Sequence, residues 1–92
     1  MGSSFSMSLT ENQLWLELEG SSRVTLSLYD MQGKPLAQLA NRILSQGRHR
    51  FALNSESPAF GIHLLKLTLN NESYVYLVSG YNMKFKPELK ID

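Results

Sequence analysis

The chain has 92 residues, no cysteine and nine basic against eight acidic side chains, which gives a net charge of +1. This length fits one small domain, and the absence of cysteine excludes disulfides and cysteine-ligated zinc. The balanced charge argues against a phosphate-binding surface and therefore against a nucleic-acid partner.

The ends of the chain differ in character from its middle. Residues 1–4, Met-Gly-Ser-Ser, lack the basic and apolar regions of a signal peptide and are interpreted as the remnant of an expression tag. We expect the folded domain to span residues 5–80, with residues 81–92 as a tail or an extra edge strand. No run approaches the roughly 18 apolar residues of a membrane helix, so no transmembrane segment is predicted.

The first two strands are predicted from period-two alternation. In residues 13–18 three leucines share one face, and Trp15 lies on the other. Residues 23–29 alternate in the same way and end at Tyr29. The intervening Gly20-Ser21-Ser22 predicts a tight hairpin between the two strands.

The segment after Tyr29 predicts a turn. Asp30 is a favourable first residue of a type I turn because its carboxylate can accept backbone N–H bonds, and Gly33 can adopt the left-handed conformation that closes it. Pro35 belongs at the start of the following strand or on a sheet edge. Residues 39–44 fit either a helical turn or a strand and loop; we favour the strand and loop, because Gly47 follows and residues 48–53 alternate again.

The second half of the chain contains the most apolar strand. Residues 54–58 are a polar connection, and residues 60–69 are predicted to form a central strand. Asn70-Asn71 predicts the next turn. In the last run Val75 and Leu77 are predicted to face the core and Tyr74, Tyr76 and Val78 to face outward. The structural turn residues are then Asp30, Gly33, Gly47 and Gly61.

These elements add up to an all-β fold, an Ig-like antiparallel β-sandwich of about seven strands. A five- or six-stranded barrel would give a similar pattern. The side chains predicted to form one shared core are Leu14, Leu16, Leu26, Leu28, Phe51, Leu65, Leu67, Val75 and Leu77.

Motifs for catalysis or metal binding do not occur in the sequence. His49 and His63 lie on different predicted strands without ligand spacing, and His63 is expected at the core edge beside leucines. No nucleophile elbow, phosphate-binding glycine loop or calcium loop is present. We therefore predict no enzymatic activity, no metal and no cofactor. Arg42, Arg48 and Arg50 form a local cluster that we interpret as solvated strand and loop ends.

Four aromatic residues at predicted outward positions, Trp15, Tyr29, Tyr74 and Tyr76, form a candidate binding face. Exposed aromatic rings stack on sugars or anchor protein interfaces. Cross-strand pairing on the sheet surface is the more ordinary explanation, and cover by a neighbouring domain is another.

Three segments in order, residues 26–36, 44–53 and 60–67, resemble the C-terminal sorting domain of the type IX secretion system, the Por secretion tail of Bacteroidetes-type bacteria. They contain Tyr29-Asp30-x-x-Gly33-Lys34, a Gly47-x-His49 step and Gly61-Ile62-His63. His63 stands where that family usually has an aromatic residue, residues 75–78 lack its terminal Lys, and the tail is longer. Related bacterial Ig-like modules share the turn and glycine motifs without being secretion signals.

The resemblance implies a non-catalytic domain at the end of an exported protein, serving in sorting or cell-surface attachment. Its partners would be the secretion machinery or a neighbouring domain, and its location the periplasm, the outer-membrane surface or the medium. The alternative is an accessory module that binds polysaccharide or a protein through the aromatic face.

Overall fold

The computed structural model describes residues 4–10, 13–53, 62–79, 82–89 and 91. Within these ranges the chain forms eight strands and no helix. The strands are β1 (Phe5–Thr10), β2 (Gln13–Leu18), β3 (Ser22–Tyr29), β4 (Pro35–Leu44), β5 (Gly47–Ala52), β6 (Ile62–Leu69), β7 (Glu72–Ser79) and β8 (Asn82–Phe85).

The strands build two antiparallel sheets, with the orders β1-β2-β5 and β4-β3-β6-β7-β8. The predicted antiparallel β-sandwich is thereby confirmed, and the barrel alternative is wrong. The described ranges contain eight strands where about seven were expected. β1 was not predicted from the sequence. β8 lies within residues 81–92, for which the expectation was a tail or an extra edge strand, and it forms an edge strand.

The predicted hairpin between β2 and β3 is wrong, because the two strands belong to different sheets. The chain crosses from one sheet to the other through residues 19–21, where the Ser22 hydroxyl donates a hydrogen bond to the Gly20 carbonyl at 3.0 Å. Both strands have a leucine face to bury. Facing each other across the core satisfies both faces, whereas a hairpin would place them side by side in one sheet.

The core lies between the two sheets. It contains the predicted leucines of β2, β3 and β6, each at most 2% exposed, and Phe51 packs against it. His63 is also buried on the inner face of β6, as expected. The buried apolar cluster comprises Leu14, Leu16, Leu18, Val24, Leu26, Leu28, Ala40, Leu44, Leu53, Leu65, Leu67, Leu69 and Val78.

The predicted inward face of β7 is wrong. Val75 lies opposite Lys66 of β6, and Leu77 lies opposite Leu64, both on the outer face of the five-stranded sheet. Apolar side chains occupy both faces of β7, so alternation alone does not identify the inner one. The face is set by the two-residue turn Asn70-Asn71, whose φ values of 50° and 82° are those of a type I′ hairpin. This turn fixes the register of β7 against β6.

The turn after Tyr29 has the predicted form. Gly33 has a φ of +86°, and its N–H donates to the Asp30 carbonyl at 3.0 Å. The Asp30 carboxylate accepts hydrogen bonds from the N–H groups of Gln32 and Lys34, each at 2.9 Å. A single side chain therefore satisfies two backbone donors and holds the turn rigid.

The two following strands also agree with expectation. Pro35 is the first residue of β4, which is an edge strand, and residues 39–44 continue that strand instead of forming a helical turn. Gly47 begins β5 with a φ of +129°. The predicted connection at residues 54–58 and the turn residue Gly61 lie outside the described residues.

The inward leucines give the first test of this packing. We expect Leu28→Ala and Leu67→Ala each to lower the free energy of unfolding by about 2–5 kcal/mol, because each leaves a cavity between the sheets. Ile43→Ala is the control, since Ile43 is 68% exposed, and should cost less than about 1 kcal/mol. Urea unfolding followed by circular dichroism measures all three. Losses below about 1 kcal/mol at both leucines would contradict the packing.

Gly33 gives the second test. We expect Gly33→Val to destabilise the domain by more than about 1 kcal/mol, because a β-branched residue is strained at positive φ. A Cβ built at Gly33 meets no heavy atom within 4 Å, so the cost comes from the backbone and not from crowding. Gly33→Asn is the matched control, because Asn tolerates this conformation and should lose much less stability. Equal losses for the two variants in the same urea titration would contradict this explanation.

Candidate functional site

The outer face of the three-stranded sheet contains the candidate site. Alternation along β2 places its leucines in the core and projects Trp15 to the other side of the sheet. The register puts Trp15 between Ser8 of β1 and Arg50 of β5. Glu17, the next outward residue of β2, lies opposite Arg48. We call the set Thr10, Trp15, Glu17, Arg48 and Arg50 the Trp15 surface.

Two guanidinium groups approach the Trp15 ring. The Cζ of Arg48 lies 4.3 Å from the ring centroid and that of Arg50 lies 5.8 Å away, both within cation–π range. The indole Nε1–H donates to the Thr10 hydroxyl at 3.1 Å, which orients the ring from its other end. Both arginines are exposed, and Trp15 is half-buried. The ring thus holds two otherwise mobile cations on one surface.

This arrangement suits the binding of an anion. A guanidinium presents planar, paired donors that match carboxylate, sulfate or phosphate oxygens. Two of them held beside one ring lose less side-chain freedom on binding than two independent arginines would. Glu17 contributes one opposing charge, so the surface remains only modestly positive. It fits a ligand with separated acidic groups better than a densely charged polyanion.

The Trp15 surface was not predicted from the sequence, although three of its members, Trp15, Arg48 and Arg50, were singled out there. The local cluster of Arg42, Arg48 and Arg50 is divided by the fold, since Arg42 belongs to β4 in the other sheet. The available signal was that Trp15 and Glu17 on one strand, and Arg48 and Arg50 on another, all occupy outward positions. The pairing of β2 with β5, which are about 30 residues apart in the chain, was not visible in that pattern.

The four predicted aromatic residues do not form one face. Trp15 lies on the outer face of the three-stranded sheet, and Tyr29, opposite Leu64, lies on the outer face of the five-stranded sheet. Tyr74 and Tyr76 lie on the inner face of β7, opposite Leu67 and Leu65. The prediction that both tyrosines point outward is therefore wrong, for the same reason of register that moves Val75 to the outer face.

Tyr74 and Tyr76 belong to an aromatic seam where β1 and β8 approach each other. The Phe5 ring packs edge-on against Tyr74 at 4.9 Å between centroids. Phe85 lies 6.1 Å from Tyr74 and 5.4 Å from Tyr76. The Tyr74 hydroxyl donates to the Glu72 carboxylate at 3.0 Å, and this hydrogen bond, with burial, raises the pKa of Tyr74 above its ordinary value. We call Phe5, Tyr74, Tyr76 and Phe85 the aromatic seam.

Residues 86–89 and 91, which follow β8, pack on the outer face of the five-stranded sheet. The Lys86 N–H donates to the Val75 carbonyl at 2.8 Å, and the Lys66 ammonium donates to the Ile91 carbonyl at 2.7 Å. These contacts cover Val75, which is only 4% exposed although it faces away from the core. A cleft of about 430 Å³ lies beneath this segment, with Lys66, Ser73, Val75, Pro87 and Leu89 among its lining residues.

Other chemistry is sparse in the part of the chain that the structure describes. Those residues contain no group of three or more His, Asp or Glu side chains arranged to hold a metal ion. His49 Nε2 lies 2.8 Å from the Ser45 carbonyl oxygen, which ties the ring to the turn before β5. Among the same residues no helix is long and apolar enough to cross a membrane.

Comparisons with protein-family models, with curated proteins and with solved structures find no significant match. Within the described residues, the chain is an antiparallel β-sandwich with a cation–π surface on its smaller sheet.

Tyr76 provides a pH-dependent test of the aromatic seam. Burial, with a smaller contribution from neighbouring Tyr74, raises the pKa of Tyr76 above its ordinary value of 10.0. Above about pH 10 the unfolded chain therefore loses the phenol proton before the folded chain does, and the domain loses stability as the pH rises. We expect Tyr76→Phe to reduce the fall in melting temperature between about pH 8 and pH 11. Equal falls for the wild type and Tyr76→Phe would contradict the buried position.

Proposed function

We propose that this chain is a non-catalytic β-sandwich domain that directs an exported bacterial protein to the cell surface, by sorting or by attachment. In this proposal the secretion machinery, or a neighbouring domain of the same protein, reads the folded domain. The domain then acts between the periplasm and the outer-membrane surface or the medium. The resemblance to type IX sorting domains supports this role, and so does the β-sandwich fold on which such a signal would be displayed.

The observation that carries the proposal is the turn at residues 30–34. It coincides with the Tyr-Asp-x-x-Gly-Lys motif of the resemblance, and its hydrogen bonds make it rigid before any partner binds. Met31 at this turn is 50% exposed, and Gln32 and Lys34 are exposed beside it. A rigid turn with an exposed apolar side chain is a surface that a partner can recognise with little loss of conformational freedom.

The Trp15 surface favours a second candidate, an accessory module that binds polysaccharide or a protein. The two guanidinium groups beside Trp15 direct this candidate toward a polysaccharide that carries carboxylate or sulfate groups. Tyr29, Tyr74 and Tyr76 have no part in it, because they lie on other faces of the sandwich.

A secretion assay tests the sorting role. We expect residues 5–92, fused behind a signal peptide and a reporter in a host with type IX secretion, to deliver the reporter outside the cell. Met31→Ser should lower the extracellular fraction, because it removes the exposed apolar group of the turn. Ile43→Ser is the matched control, since it changes a similarly exposed apolar residue on β4, and should leave secretion unchanged.

A second outcome separates the two candidates. If the intact fusion stays in the periplasm while circular dichroism shows the domain to be folded, sorting is wrong. Binding of the purified domain to a carboxylated or sulfated polysaccharide would then support the accessory module, provided that Trp15→Ala abolishes binding and Tyr29→Ala does not.

A further inference from the structure

The four edge strands of the sandwich are β1 and β5 in one sheet and β4 and β8 in the other. Exposed edges invite pairing with other chains, and proteins usually protect them with charges, proline or bulges. Three of these edges carry such protection. β4 has two register shifts against β3 and begins with Pro35, β5 contains Arg48 and Arg50, and β8 contains Lys84 and is followed by Lys86 and Pro87.

The strand β1 has none of these protections. Its sequence, Phe-Ser-Met-Ser-Leu-Thr, contains no charge and no proline. It pairs with β2 in one continuous register without a bulge. Its outward side chains are exposed hydroxyl groups, and its inward side chains pack against the core. Within the described ranges, no strand pairs with its second edge.

The hydrogen bonds show which backbone groups face that second edge. The Glu19 N–H donates to the Ser4 carbonyl at 3.1 Å, so this pair is a hydrogen-bonded pair of the β1–β2 ladder. Such pairs alternate along an antiparallel ladder. The backbone N–H and C=O groups of Ser6 and Ser8 therefore form hydrogen bonds with β2. Those of Phe5, Met7 and Leu9 point away from β2.

We propose that β1 pairs with β1 of a second copy of this chain, in antiparallel orientation about a two-fold axis at Met7. The three outward-pointing residues are spaced symmetrically about Met7. Met7 would pair with Met7 of the second copy, and Phe5 with its Leu9, so six backbone hydrogen bonds form and the two three-stranded sheets become one sheet of six. Isologous pairing of this kind closes after two copies.

The choice of a second copy rests on charge and symmetry. In this register Ser6 faces Ser8 of the second copy, so no like charges meet. If β5 paired with β5 of a second copy in the same way, arginines of the two copies would lie opposite each other. If β8 paired with β8 of a second copy, lysines would lie opposite each other. Like charges directly opposite across strands are unfavourable. The aromatic seam lies beside the β1 edge, and Phe85, at 50% exposure, gives the interface an apolar margin. The inference does not depend on the proposed sorting role.

A charge-reversal pair tests the register. Ser6→Lys with Ser8→Lys places two pairs of lysines opposite each other across the axis, whereas Ser6→Lys with Ser8→Glu places two Lys–Glu pairs there. In both variants the lysine at position 6 lies opposite Glu17 of β2. The two variants therefore differ only at position 8. We expect the wild-type chain to be a concentration-dependent dimer, and the Lys/Lys variant to dissociate at least about tenfold more readily than the Lys/Glu variant. Analytical ultracentrifugation at low salt measures this, and melting temperatures verify that each variant is folded.

A backbone variant tests the hydrogen bonds separately. Met7→Pro removes the N–H that points to the second copy and no bond to β2, a position where an edge strand accepts proline. Met7→Ala is its control, because it also loses the Met7 side chain but keeps the N–H. We expect Met7→Pro to be monomeric and Met7→Ala to dimerise. A wild-type chain that remains monomeric up to about 1 mM, equal dissociation of the two charge variants, or equal association of Met7→Pro and Met7→Ala would each overturn the proposal.

Discussion

The structure depends on one contact, the burial of the leucine face of β2 against the leucines of β3 and β6. Leu14, Leu16, Leu26, Leu65 and Leu67 are fully buried, and they come from strands in both sheets. Neither sheet is stable alone, because each would expose one apolar face to water. The chain therefore crosses between the sheets immediately after β2, which places the leucine face of β2 across the core from that of β3.

The unequal width of the two sheets explains the features at the margins of the core. A three-stranded sheet covers a five-stranded one incompletely, and several side chains at the margin are small or amphipathic. On β4 the inward residues opposite Leu26 and Leu28 are alanines. On β7 the inward residues opposite Leu65 and Leu67 are tyrosines, whose rings pack against the core while the Tyr74 hydroxyl donates to Glu72. On the outer side, the segment beyond β8 covers Val75.

Charge is distributed over the surface in a way that separates two kinds of recognition. The outer face of the three-stranded sheet concentrates Arg48 and Arg50 around Trp15, which favours an anionic ligand. The β1 edge of the same sheet is uncharged and offers only backbone groups and hydroxyls. In the two proposals made above, the first surface selects by charge and the second selects by strand geometry.

The sequence by itself determined the strands and turns that rest on neighbouring residues. Period-two alternation located β2, β3, β5 and β7, and the continuous apolar run located β6. Asp30, Gly33 and Asn70-Asn71 located two turns, with the left-handed conformation predicted at Gly33. These features are local, because a strand has two distinct faces and a turn needs particular φ values whatever the rest of the chain does. The central position of β6 was also predictable, because its run is apolar on both faces.

The tertiary structure alone decided how those elements are arranged. Which sheet β2 joins and which arginines lie beside Trp15 depend on residues far apart in sequence, whereas the inward face of β7 depends on its register against the neighbouring strand β6. On β7 the two faces are similarly apolar, so only the register against β6 distinguishes Val75 from Tyr76. The Trp15 surface arises because β5, about 30 residues later in the chain, pairs with β2. Sequence spacing carries no information about such a pairing, because the free energy that fixes it comes from burying the shared core between the sheets.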